Sequence, residues 1–169
     1  CGDSWIGYFS PRDNKWNEAS NTTTFFFSEG WVNLMYEYAI TNIFAPWIQL
    51  KNINMSGENP NKEMYAIAQI SKIMGLHRST DKFGPIPYKQ VGNGSFTVEY
   101  DSQESVYRSF FEELDEAVTV LYDFYMKANN TVPMASDVVY EGDVTKWIRL
   151  ANSLMLRLAS RVRYADEVL

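Results

Sequence analysis

The chain carries one histidine, His77, and one cysteine, Cys1. A single histidine rules out H-E-x-x-H and any site built from several imidazoles. A lone cysteine cannot close an internal disulfide. Nothing in their spacing makes Cys1 and His77 a nucleophile and its base; only the fold could bring them together. His77 stands at an expected helix end, where a side chain that leans positive is ordinary. Neither a P-loop nor a G-x-G-x-x-G turn occurs.

Carboxylates need more care, because glycoside hydrolysis requires only two of them, facing each other across a cleft. Glu112, Glu113, Asp115 and Glu116 crowd one expected helix. Neighbours on one helix read as a solvated face. Asp13, Asn14, Asn17 and Glu18 are oxygen donors in one loop, but the EF-hand spacing and its glycine are missing. A hydrogen-bonded loop is the expectation there. The chain is therefore read as non-catalytic, with no metal and no cofactor.

The more useful signal is aromatic. Trp5, Tyr8, Phe9 and Trp16 lie in a stretch rich in Gly, Pro and Asn, beside Asp3, Asn14 and Asn17. Two readings fit. The rings can seal the end of a helical stack, or they can stack on the C–H faces of sugars while amides and carboxylates bond hydroxyls. On the second reading the ligand-binding residues are Trp5, Tyr8, Trp16, Asn17 and Asp3.

Bulk properties narrow the partners. The 169 residues are 46% hydrophobic and 21% charged, which describes a folding chain. The formal net charge of −6 argues against nucleic acid, whose phosphates call for a basic patch. Arg157, Arg161 and Arg163 are the densest basic cluster, and they read as one solvated helix face. Asn-x-Ser/Thr occurs at Asn21, Asn54, Asn93 and Asn129, as chance allows in a chain rich in these residues. No apolar run approaches a membrane helix.

These side chains must be placed by helices, and four are expected. Residues 1–27 are irregular, with Phe25, Phe26 and Phe27 expected to tuck against the first helix. Residues 28–78 form a helix pair. Ser28 caps the first helix, whose stripe is Trp31, Leu34, Tyr38 and Thr41, and Pro46 should kink or end it. Asn52 to Asn59 is a loop. Asn59 and Pro60 open the second helix, apolar nearly all round, which stops between Gly75 and Arg78. Residues 79–100 hold Gly84, Pro85, Pro87, Gly92 and Gly94, so they are turns and extended segments. Residues 101–169 form a second pair. Asp101 caps the third helix with Glu104 reaching back, over the stripe Val106, Phe110, Leu114, Ala117 and Leu121. Asp143 caps the fourth, with Trp147, Leu150, Ala151, Leu154, Leu158 and Val162. The fold class is mainly α: antiparallel helix pairs with long irregular loops.

Four segments, in this order, resemble one family. They are Gly2-Asp3-Ser4-Trp5 with Tyr8-Phe9; Asp81-Lys82-Phe83-Gly84-Pro85-Ile86-Pro87-Tyr88; Tyr100-Asp101-Ser102-Gln103-Glu104 running on to Leu114-Asp115-Glu116-Ala117; and Tyr140-Glu141-Gly142-Asp143-Val144-Thr145-Lys146-Trp147 with Leu150-Ala151-Asn152-Ser153-Leu154 and Leu156-Arg157-Leu158-Ala159-Ser160-Arg161. They are similar to motifs of the SusD/RagB-like outer-membrane nutrient-binding lipoproteins of Bacteroidetes. The resemblance implies tetratricopeptide-like helix pairs, a lipid anchor at the cell surface, and a TonB-dependent outer-membrane transporter barrel as partner. It implies capture of an oligosaccharide, or in some members a peptide, without catalysis. It also implies that helix pairs serve as scaffold and transporter contact while irregular loops hold the ligand. Members are about three times as long, so the expectation is a single helical domain, residues 1–169, within a larger SusD-like domain. The Gly-Asp-x-Trp motif normally lies well downstream of the lipid anchor, so Cys1 is expected to mark where the segment begins rather than an acylated residue. A helical-repeat scaffold that binds only protein, a RagB-like peptide binder and a carboxylate-pair glycosidase remain the alternatives.

Overall fold

The computed structural model describes residues 6–10, 12–13, 15–26, 29–56, 58–127, 130–133 and 137–165. The chain divides into two compact units, Cys1–Tyr38 and Ala39–Leu169. Among the described residues five α-helices carry most of the regular structure: α1 (Glu29–Ala39), α2 (Ala45–Met55), α3 (Lys62–Phe83), α4 (Gln103–Met126) and α5 (Val144–Val162). Among the described residues there is no strand, only the isolated antiparallel bridges Ile86–Asp101 and Thr131–Asp143.

In the first unit, short 3₁₀ turns at Trp16–Ala19 and Thr22–Thr24 precede α1. Asn21 organises the second turn. It is fully buried, and its Oδ1 accepts from the Thr23 amide at 3.0 Å and from the Thr23 hydroxyl. Phe25 leaves this turn at φ +56°, and both Phe25 and Phe26 are exposed rather than tucked away as expected. Ser28 and Phe27 lie outside the described residues.

Pro46 neither ends nor visibly breaks its helix. A π turn, Ile40–Phe44, joins α1 to α2, and the bounding residues Ala39, Phe44 and Ala45 keep right-handed helical angles. A proline inside a helix lacks one donor and crowds the carbonyl four residues back. A wider turn just ahead of it relieves that crowding, so the helix continues to Met55.

The second unit is a run of helices in which chain neighbours pack together: α2 on α3, α3 on α4 and α4 on α5, with α3 also touching α5. Its most extensive contact joins α3 to α4, across the Gly/Pro loop, rather than the helices within each expected pair. The core explains why. Ile67, Ile70, Ile73 and Leu76 of α3 are sealed from water, as are Val106, Phe110, Leu114 and Leu121 of α4. A helix apolar on all sides needs neighbours on all sides. Burial of these aliphatic side chains, at about 1.5–3 kcal/mol each, supplies the main driving force.

Helix boundaries follow local hydrogen bonding. Asn61, not Asn59, caps α3, its Oδ1 accepting from the Met64 amide at 3.0 Å. Gly75 does not stop that helix, which runs on to Phe83 and closes at Gly84 with φ +75°. Ser102 caps α4, its hydroxyl accepting from the Ser105 amide. Asp101 turns the other way, and its carboxylate accepts from the amides of Tyr88 at 3.2 Å and Lys89 at 2.9 Å. Glu104 pairs with Arg108 one turn on instead of reaching back. Asp143 caps α5 as expected, accepting from Thr145 and Lys146.

Candidate functional site

The aromatic segment before α1 is described only in part. Asp3, Trp5 and Asn14 lie outside the described residues, and for Trp16 only the backbone is described, at the start of its 3₁₀ turn. Tyr8 is 78% exposed and Phe9 is exposed beside it. Asn17 is exposed, at φ +55°, with its side-chain amide donating to Ser20 O at 2.7 Å. Asp13 accepts from the Lys15 amide at 2.9 Å. Asn17 and Asp13 thus serve their own backbone, while the Tyr8 side chain is largely open to solvent.

Three polar constellations inside the second unit escaped the sequence reading. The first centres on Lys72 of α3. Its ammonium lies 4.1 Å from the centre of the Trp47 ring and 4.6 Å from that of Tyr88. It meets Glu113 of α4 at 2.7 Å, and Tyr88 donates its hydroxyl to the same carboxylate at 2.5 Å. Trp47 in turn donates its indole N–H to Gln69. Burial holds the Lys72 pKa below the ordinary lysine range, although Glu113 opposes the shift. Burial, then Glu113, raises that of Tyr88 well above a free tyrosine. Glu113 is therefore no part of a solvated face, unlike the exposed Glu112, Asp115 and Glu116. The available signal was Lys72 itself. A lysine on a helix apolar on all sides calls for a buried counter-charge.

Around this cage the rings interlock edge to face. Phe44 meets Trp47 at 6.3 Å and Tyr88 at 5.8 Å, and Tyr88 meets Phe110 at 5.2 Å. Such pairs add about 0.5–1.5 kcal/mol each beyond their area.

The second constellation joins α3, α4 and α5. Tyr107 donates its hydroxyl to Asp81, whose other oxygen lies 3.0 Å from Arg161. Burial and then Asp81 push the Tyr107 pKa up to about 12. A cavity of about 410 Å³ opens here, lined also by Gln103 and Glu104. Arg161 stays exposed, as expected of a solvated face, but it is paired there with Asp81.

The third constellation holds the loop before α5. Asp137 accepts from the Trp147 indole at 2.7 Å and from the amides of Gly142, Val139 and Tyr140 at 2.8, 2.9 and 3.1 Å. Burial opposes ionisation of Asp137, but these four donors outweigh it and hold its pKa below the usual carboxylate range. Gly142 sits at φ +77°, where a Cβ would stand 2.1 Å from the Val132 carbonyl oxygen, so only glycine fits.

The sole histidine lies inside α3 rather than at its end, and it is buried. Its Nδ1 is 3.2 Å from Ile73 O, and burial lowers its pKa. Among the described residues no group of three or more His, Cys, Asp or Glu is placed to hold a metal ion. No helix among them is long and apolar enough to cross a membrane.

The motif residues thus have structural work in common. Asp81 binds Tyr107 and Arg161, Gly84 closes α3, Ile86 and Asp101 pair, Tyr88 meets Glu113, and Gly142 and Trp147 meet Asp137. They describe a scaffold, and the scaffold is shared with solved proteins. A chitin-binding SusD homologue from Flavobacterium johnsoniae matches 95% of this chain at 33% identity, with a TM-score of 0.82. A SusD homologue from Bacteroides vulgatus matches 98% at 30% identity, also with a TM-score of 0.82. One from Bacteroides uniformis matches 73% at 42% identity, with a TM-score of 0.63. This chain covers 33%, 32% and 25% of those proteins, a third of their length or less. No curated protein matches it. The family model described as SusD-like, "Susd and RagB outer membrane lipoprotein", matches residues 1–169. With the whole chain matched and the helical scaffold shared, the chain belongs to the SusD-like family of outer membrane lipoproteins.

Proposed function

We propose that this chain is part of a non-catalytic, cell-surface subunit that captures a glycan and presents it to a TonB-dependent outer-membrane transporter. The observation that carries this reading is the family match over residues 1–169, together with 33% identity to a chitin-binding homologue. In this reading the protein is lipid-anchored at the outer membrane, and the second unit is a rigid mount. The three satisfied constellations fix α2 to α5, so they are committed to the fold rather than to a ligand. Ligand contact falls to the aromatic segment: Trp5, Tyr8 and Trp16 stack on sugar faces, and Asp3 and Asn17 bond hydroxyls. The exposure of the Tyr8 ring supports this assignment. Residues beyond those of this chain would complete the site.

Affinity electrophoresis of the full-length protein against a panel of polysaccharides, chitin oligosaccharides included, tests the ligand class. Retardation by one or more glycans is the expected result. Binding of peptides alone would move the protein to a RagB-like role, and binding of neither would leave a scaffold. Release of reducing sugar would overturn the non-catalytic reading. Co-purification with a barrel transporter from detergent-solubilised outer membranes tests the partner.

A further inference from the structure

A groove of about 560 Å³ runs between α3 and α5 in the second unit. Arg78 of α3 and Arg157 of α5 both line it and both are exposed. Neither has an ion-pair partner among the described residues. Two further arginines nearby in sequence are engaged elsewhere: Arg161 of α5 meets Asp81 at 3.0 Å, and Arg163, just past α5, lies over the Tyr164 ring at 4.6 Å. In a chain of net charge −6, two unneutralised guanidinium groups sharing one groove are a local exception. Like charges held together are unfavourable until a counter-charge arrives, and a guanidinium fork matches a carboxylate best.

Between the arginines the groove is aliphatic, lined by Met74, Leu150 and Leu154. Methionine adapts its shape to what docks against it. Among the described lining residues there is no Trp, Tyr or Phe ring and no Asn or Gln amide, the groups that recognise sugars. A glycan would find little here, whereas a polypeptide with mixed acidic and aliphatic side chains would match both features.

His77 supplies an independent observation. It lines the same groove and is only 3% exposed. A carbonyl oxygen only accepts, so the Nδ1 beside Ile73 O carries the proton and Nε2 is a bare acceptor. That Nε2 has no hydrogen-bond partner among the described residues. An unsatisfied buried acceptor is unfavourable, and a donor brought by a partner would relieve it.

We propose that the groove between α3 and α5 is a docking site for a partner protein segment carrying Asp or Glu beside aliphatic side chains. The carboxylates meet Arg78 and Arg157, the aliphatic side chains cover Met74, Leu150 and Leu154, and a backbone or side-chain donor reaches His77. This assignment stands apart from the glycan reading, because it uses neither the aromatic segment nor any sugar chemistry.

The test is photo-crosslinking of the full-length protein in its native membrane, with p-benzoylphenylalanine replacing the exposed Ser153 at the groove. The expected result is a light-dependent adduct to another polypeptide, through a peptide in which Asp or Glu flanks Leu, Ile, Val or Met. Arg78→Glu with Arg157→Glu should lower the adduct yield by about tenfold or more, because attraction becomes repulsion. Arg78→Gln with Arg157→Gln should lower it less, and its melting temperature shows whether the fold is intact. Four results would overturn the proposal: no adduct, an adduct to polysaccharide, an adduct confined to the same polypeptide, or a yield unmoved by charge reversal in a folded variant. An adduct through a peptide without carboxylates would overturn it equally.

Discussion

Lys72 Nζ lies 2.7 Å from a carboxylate oxygen of Glu113, with the lysine side chain only 2% exposed and the glutamate 23%. This pair ties α3 to α4 within a frame of aromatic rings. Glu113→Gln keeps an acceptor for the Tyr88 hydroxyl but leaves the ammonium without a counter-charge. Breaking a buried pair from one side costs about 3–5 kcal/mol, and the partial exposure of Glu113 puts the expectation near 3. Lys72→Met with Glu113→Gln should recover most of that loss. Urea denaturation of the three variants measures it; a single-variant loss under about 1 kcal/mol would show that the pair is not structural.

Asp137 predicts the acid limb of stability. Its folded pKa is lowered, so its contribution is present above the unfolded value of 3.8 and is lost as pH falls through the folded one. Asp137→Asn should flatten that limb, and at neutral pH it should destabilise by about 2 kcal/mol, since an amide nitrogen would face donors. Unfolding free energy from pH 2 to 6 gives the comparison, in rough steps of one unit. An unchanged slope would refute the assignment.

The alkaline limb rests on Tyr65 and Tyr107, each raised to about 12, the former by burial and then Glu113, the latter by burial and then Asp81. A raised folded value means that the native state keeps protons which the unfolded chain gives up. Their contribution is therefore whole below about pH 10 and declines as pH rises towards 12. Phenolate absorbance should show at least two tyrosines ionising late. Removing the carboxylate in Asp81→Asn should advance one of them.

Trp147→Ala should cost about 3–5 kcal/mol, the usual loss for a buried aromatic. Trp147 is 3% exposed, meets Tyr140 edge to face at 5.2 Å, and is a donor to Asp137. Hydrogen exchange should locate the weakening in α5 and the loop before it. An unchanged melting temperature would remove Trp147 from the core.

For the aromatic segment the expected pattern is reversed. Tyr8→Ala and Trp16→Ala should each leave the melting temperature nearly unchanged and weaken glycan affinity on the order of tenfold, about 1.4 kcal/mol. Calorimetric titration of the full-length protein with the glycan found by electrophoresis reads the effect. A large loss of stability with unaltered affinity would return these rings to a packing role.

Much of the fold was legible because burial leaves a periodic mark. The stripes Val106-Phe110-Leu114-Ala117-Leu121 and Trp147-Ala151-Leu154-Leu158 are the buried faces of α4 and α5. Periodicity cannot show which helix a buried polar group will meet, so residue order does not set Glu113 apart from Glu112 and Glu116. It also cannot weigh one short hydrogen bond against another: residue order offers Asp101 as the cap, although Ser102 fills that place. Pro46 misled for a related reason: its penalty is local, and a single wider turn absorbs it. The aromatic segment was legible as composition only. Without periodic backbone, nothing in residue order relates Tyr8 to Asn17 in space.

The bridge between Ile86 and Asp101, reinforced by the Asp101 carboxylate on Tyr88 and Lys89, ties the segment 87–100 at its neck. Phe96 projects wholly into solvent from that segment. Beyond the neck and Tyr88, which itself joins the cage of Lys72 and Glu113, the tip of the segment is not needed to hold α3 against α4. Its length and composition can drift, lengthen or be exchanged between relatives while the helices stay in register, because the entropy of closing a longer loop grows only slowly with its size. The same helical mount can thereby carry differently shaped tips through descent.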